Sequence, residues 1–162
     1  MTADLEHDIF ALVDALGNRQ TRKAMHHLQT ALGTRANELY VLSMIARQVR
    51  LILAAKDLTE VQNKSPEQVG KELHIRHSFI VRKLLTQAQQ FTSREIQGLQ
   101  RHILQTDQAI KTGRIEAPLA LEMLVLDICQ RRREKETHQG RSRSRTRSAR
   151  ASSRSSPAPR SR

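Results

Sequence analysis

The sequence predicts an all-α protein, a helical bundle of about seven helices with a disordered C-terminal tail. Three observations carry this expectation. Apolar residues recur at helical spacing through most of residues 1–130, and no strand-like alternation competes with them. Helix start and stop signals punctuate those runs and leave only short connections, as antiparallel neighbours in a bundle require. From about Glu134 the pattern dissolves, and the chain ends "GRSRSRTRSARASSRSSPAPRSR".

The first helix runs from about Asp4 to Leu16, with Ile9, Leu12, Val13 and Leu16 on one stripe. Gly17 is expected to stop it, and Asn18 to cap a second helix that carries Ala24, Met25, Leu28 and Leu32. After "GTRAN" comes the longest helix, about Ala36 to Leu58, whose apolar face includes Leu42, Ile45, Val49 and Ile52. "SPEQ" at 65–68 is a strong start signal. Ser65 is the N-cap, Pro66 sits at the first helical position, and Gln68 can complete a capping box. This short helix ends near Leu73, and another spans about His77 to Gln90. "TSRE" at 92–95 is a second capping box, opening a helix that lasts to Lys111 and is closed by Gly113, expected in a left-handed conformation. Pro118 starts the last helix, "PLALEMLVLDICQRRR", which is apolar nearly all round from Leu119 to Leu126 and is therefore expected to be central and buried.

The chain has 162 residues and a net charge of +12, which points to a polyanionic partner. The charge is uneven. Residues 131–162 hold twelve of the 28 Lys and Arg residues and two of the 16 acidic ones, leaving sixteen basic against fourteen acidic in residues 1–130. The helical part is nearly neutral, and the tail makes the protein basic. The domain expectation is accordingly a helical domain over 1–133 and a basic Arg/Ser-rich tail over 134–162, too poor in apolar anchors to offset its own ordering entropy.

Cys129 is the only cysteine, so no intrachain disulfide can form, which fits a reducing cytoplasm. "MTADLEHDIF" has no apolar signal region, and the longest apolar stretch, Ala117 to Cys129, is broken by Glu122 and Asp127. The expectation is a cytoplasmic protein with no membrane contact.

Residues 65–90 resemble a helix-turn-helix pair on paper, with Gly70, Leu73, Ile75 and Ile80 where that motif wants small and apolar residues. Against this, His74 stands where the turn usually carries Gly, and the second helix holds Phe79, Ile80, Val81, Leu84 and Leu85. A recognition helix must keep a polar outer face to reach base edges, and only Arg82, Lys83, Thr86 and Gln87 are left for it. Bundle packing is the better reading; a small DNA-binding regulator using this pair or the basic tail is the alternative. His74 and His77 are spaced i, i+3 without the further ligands a zinc site needs, so no metal and no cofactor are expected. No phosphate-binding loop, nucleophile elbow or H-E-x-x-H motif is present, so no catalytic residue is named. The arginines of the tail, Arg141, Arg143, Arg145, Arg147 and Arg150 among them, can contact nucleic-acid phosphates without sequence preference. An Arg-Ser domain of the splicing type would need an RNA-binding module, and Phe10, Tyr40, Phe79 and Phe91 fall mostly on expected core stripes.

Four stretches taken in order, "IFALVDALGNRQTRKAMHHLQ", "LSMIARQVRLILAAKDL", "SPEQVGKELHIRHSFIVRKLLTQAQQFT" and "TDQAIKTGR…LALEMLVLDIC", make residues 9–129 resemble the C-terminal domain of the bacterial DNA polymerase III delta subunit. The resemblance implies a clamp-loader collar domain, in which the C-terminal helical domains of the loader subunits pack into a ring. It implies other clamp-loader subunits as partners, DNA replication as the process, and membership of the DNA-directed DNA polymerase holoenzyme without chemistry of its own. In that family delta grips the sliding clamp through an N-terminal ATPase-like domain. This chain begins with Met1 where the collar begins, so that domain is expected to be absent. Ser78 stands where the family usually has Pro, and the Arg-Ser tail has no counterpart in the family pattern. If the domain is a collar, the last two helices should supply its contacts. The "KTGR" turn then offers Lys111 and Arg114 as interface cations, with Gly113 setting the turn between them.

Overall fold

The chain divides into two units, Met1–Cys129 and Gln130–Arg162. The structure, a computed structural model, describes residues 2–33 and 37–130, so the expected tail and its boundary at 133/134 lie outside the described residues. Seven helices fill the described part: α1 (Thr2–Gly17), α2 (Thr21–Gly33), α3 (Glu38–Glu60), α4 (Pro66–Glu72), α5 (Ser78–Gln89), α6 (Ser93–Lys111) and α7 (117–130). No strand occurs among the described residues.

The helix starts follow the sequence signals. Asn37 caps α3, its side chain accepting from the Leu39 amide at 2.8 Å. Ser65 and Gln68 close the capping box of α4, and Thr92 and Glu95 that of α6. Each box satisfies two amides that the helix itself leaves unpaired. Asn18 does not cap α2: its side-chain amide donates back to the Asp14 carboxylate at 3.1 Å.

Three helices end in one turn geometry. At α6 the Arg114 amide donates to Ala109 O (2.9 Å), and the Gly113 amide to Ile110 O (3.0 Å), with Gly113 at φ +68°. This is the Schellman motif, and its left-handed position is where glycine is cheapest. The same bond pair closes α4 around His74 (φ +55°) and α1 around Arg19 (φ +61°). Gly17 is thus not the left-handed stop of α1. Its lack of a side chain serves packing instead: a Cβ there would stand 2.1 Å from Gln90 Oε1 and 2.9 Å from the Phe91 ring.

α3 is the central helix, in contact with α1, α2, α4, α5 and α6. It buries Val41, Leu42, Ile45, Val49 and Ile52 against Leu12, Leu28, Leu84 and Ile96 of its neighbours. Each such side chain contributes about 1.5–3 kcal/mol by leaving water. One polar group sits inside. Gln87, fully buried on α5, donates to Phe10 O of α1 (3.2 Å) and accepts from the Gln48 amide of α3 (2.7 Å), tying three helices at one point.

The expectation that α7 is central and buried all round is corrected. It buries Ala120, Leu121, Leu124, Val125, Ile128 and Cys129 but exposes Leu119, Met123 and Leu126. A helix apolar on every side reads the same whether its second face is covered by this chain or left open. Tyr40 and Phe79 are likewise exposed; of the aromatic residues, only Phe91 is fully in the core.

Candidate interaction surface

Three exposed features gather on the last two helices. The first is the turn after α6. Its glycine fixes the direction in which the chain leaves toward α7, and its neighbours Lys111 and Arg114 are both exposed. They differ in state. Lys111 Nζ is ion-paired with Asp107 Oδ2 at 2.8 Å, one turn back on the same helix, the sequence order that supports a helix. Arg114 has no side-chain carboxylate partner among the described residues, so of the two it is the cation free to meet another chain.

The second feature is the apolar stripe of α7. Leu119, Met123 and Leu126 follow i, i+4, i+7 and so lie on one face, with exposures of 51%, 43% and 39%. A single exposed leucine is ordinary, but a helical row of three large apolar side chains is the pattern of a contact face. The third is a groove of about 350 Å³ between α3 and α6, floored by Leu42, Ala46 and Ile103 and edged by Arg50, Leu104 and Asp107. Asp107 thereby links the groove to the Lys111 pair.

The helix pair α4–α5 is no DNA reader of the helix-turn-helix kind. Gln87, one of four residues left for base contacts, is in the core, and Thr86 Oγ1 is bonded to Arg82 O at 3.0 Å. Phe79 and Ile80 occupy the outer face where polar readers would have to stand. Gly70 brings the two helices together; a Cβ there would lie 3.1 Å from Val81 Cγ2. No group of three or more metal-ligating side chains occurs among the described residues, and no helix there is long and apolar enough to cross a membrane. Arg141, Arg143, Arg145, Arg147 and Arg150 lie outside the described residues.

The family pattern of the DNA polymerase III delta subunit, C-terminal domain, matches residues 6–128, nearly the whole described fold. The chain belongs to that family. It is 27% identical over 132 residues to the DNA polymerase III subunit delta of Bacillus subtilis (strain 168), a match covering 82% of this chain and 38% of that protein. It is similar in structure to the Bacillus subtilis DNA clamp loader delta protein YqeN, with a TM-score of 0.70 at 27% identity over 78% of this chain and 37% of that one. The chain therefore spans well under half the length of these relatives. The turn at Lys111–Arg114 and the α7 stripe both fall inside the family match, whereas the arginine-rich end falls outside it.

Proposed function

We propose that this chain is a collar-type assembly module of the DNA polymerase III clamp loader, acting in DNA replication by binding other loader subunits. The observation that carries this is the family match across residues 6–128 together with an apolar face that the fold leaves uncovered. Leu119, Met123 and Leu126 supply the buried centre of the contact, and Arg114 supplies a cation at its edge, with Lys111 and Gly113 holding the turn. The reading includes a cytoplasmic location, a helical domain over 1–133, and a tail over 134–162 that makes sequence-indifferent contacts with nucleic acid through Arg141, Arg143, Arg145, Arg147 and Arg150. No catalytic role is assigned, and these residues alone are not expected to grip or open the sliding clamp.

The test is co-expression with the other loader subunits of the same organism. Leu119→Glu with Met123→Glu should keep the helical circular dichroism and lose co-purification, because charge is placed on a face that only a partner covers. Gly113→Val should weaken association by misdirecting α7. Co-purification that survives the double substitution would move the interface elsewhere. Loss of tail binding in a chain ending at Gln130, with a steep salt dependence in the full chain, is the result expected for the nucleic-acid contact.

A further inference from the structure

The fold leaves an apolar ridge and an apolar groove uncovered. The ridge is Leu119, Met123 and Leu126 on α7; the groove lies between α3 and α6. Both belong to the unit Met1–Cys129, and the ridge is exposed while the groove keeps about 350 Å³ of open space. Neither therefore covers the other within one copy. Their lengths agree. Leu119 to Leu126 is seven steps along a helix, about 10 Å at about 1.5 Å each. The α6 wall of the groove, from Gln100 to Asp107, is the same seven steps and about 10 Å, and the α3 wall from Leu39 to Arg50 is about 16 Å. A helix with anchors at i, i+4 and i+7 buries them by lying in such a groove.

The charges agree as well. Glu122 and Asp127 flank the ridge on its two sides, and neither has a cationic partner among the described residues. Arg50 at the groove edge is exposed and has no carboxylate partner among them. Asp107 on the opposite wall is already paired with Lys111 at 2.8 Å. A ridge with acidic flanks thus matches a groove whose uncompensated charge is positive. A small ligand fits less well, because none of the polar residues lining the groove is buried.

We propose that the chain self-associates head to tail, the α7 ridge of one copy lying in the α3–α6 groove of the next with Arg50 against an acidic flank. Ridge and groove are different surfaces, so each pairing leaves one ridge and one groove open, and association continues past two copies unless a ring closes. The inference rests on the same α7 stripe as the clamp-loader reading and adds the groove, so loader subunits and a second copy compete for the ridge.

The experiment uses the full chain and light scattering from about 1 μM to 1 mM, in about 0.15 M salt, which confines repulsion between the basic ends to about 8 Å. The mass of the unaltered protein should rise with concentration beyond two copies of the 18.5 kDa chain. Leu119→Glu with Met123→Glu removes the ridge, and Arg50→Glu with Leu104→Glu removes the groove; all four positions are exposed. Each double variant alone should stay monomeric. Mixed in equal amounts they should form a dimer and stop there, since one intact ridge and one intact groove remain. Hydrogen exchange on the unaltered protein gives a readout free of folding effects, with amides in both 100–107 and 119–126 slowing as concentration rises. The proposal is overturned if the unaltered protein stays monomeric or stops at a dimer, if the mixture forms no dimer, or if protection is confined to α7. A chain that enters the loader but is monomeric alone overturns this inference only; one that self-associates but never enters the loader overturns the clamp-loader reading only.

Discussion

Gly113 permits a clean separation of backbone and packing effects. It sits at φ +68° in the turn that ends α6, and nothing lies within 4 Å of the position a Cβ would take. A substitution there meets no neighbour, so its whole effect is conformational. A left-handed L-residue costs about 1–2 kcal/mol, and the reduced freedom of the unfolded chain returns about 0.4–1 kcal/mol of that. Gly113→Ala should therefore destabilise by about 1 kcal/mol, and Gly113→Val by about 2 kcal/mol because its branched Cβ crowds the same carbonyl further. Gly113→Asn should fall below Ala, since its side chain tolerates this region. Thermal unfolding followed by far-ultraviolet circular dichroism reads the series, and about 1 kcal/mol corresponds to roughly 4 °C in a domain of this size. An alanine variant as stable as glycine, or a valine variant more stable than alanine and alanine more stable than asparagine, would refute the left-handed turn and with it the fixed exit toward α7.

Other substitutions test other parts of the packing. His74→Gly should stabilise by about 0.5 kcal/mol, the opposite sign to Gly113→Ala, because α4 closes through the same turn with a non-glycine residue at φ +55°; urea unfolding measures it. Gln87→Ala should cost about 2–4 kcal/mol, two hydrogen bonds at about 1 kcal/mol each plus an unfilled volume between α1, α3 and α5. Gly17→Ala should cost about 1–3 kcal/mol, since the Phe91 ring edge must move. The Glu67 carboxyl is held below its ordinary range by a hydrogen bond from its own backbone amide and a second from the Ser65 side chain. A lowered folded pKa makes its contribution present above the unfolded value of 4.5 and lost as the pH falls through the folded one. In an NMR titration Ser65→Ala should raise that midpoint.

Local chemistry made much of the fold legible. Capping boxes at Ser65–Gln68 and Thr92–Glu95 act within four residues, and the left-handed Gly113 within six, so their signals are complete in the sequence. The misreadings depend on distant partners. Gly17 looks like a helix stop, but its reason is the approach of Gln90 and Phe91 more than 70 residues away. Gln87 reads as a solvated helix residue because a buried polar side chain is recognisable only through Phe10 and Gln48, which satisfy it. Leu119, Met123 and Leu126 read as core because hydrophobicity reports that a face seeks cover without saying which chain provides it. Of the turn residues chosen from sequence, Arg114 has no carboxylate partner among the described residues and Lys111 is held by Asp107, a pairing visible in the i, i+4 spacing.

The proposed function requires that this chain enter a clamp loader. The most direct measurement mixes the full chain with the remaining loader subunits from the same organism and determines the mass of the product by size-exclusion chromatography with light scattering. The expected product is a complex heavier than the subunits alone by one or more copies of the 18.5 kDa chain, formed at micromolar concentration and competed away by an intact delta subunit. A chain that elutes by itself at every concentration, while intact delta enters the complex under the same conditions, would contradict it.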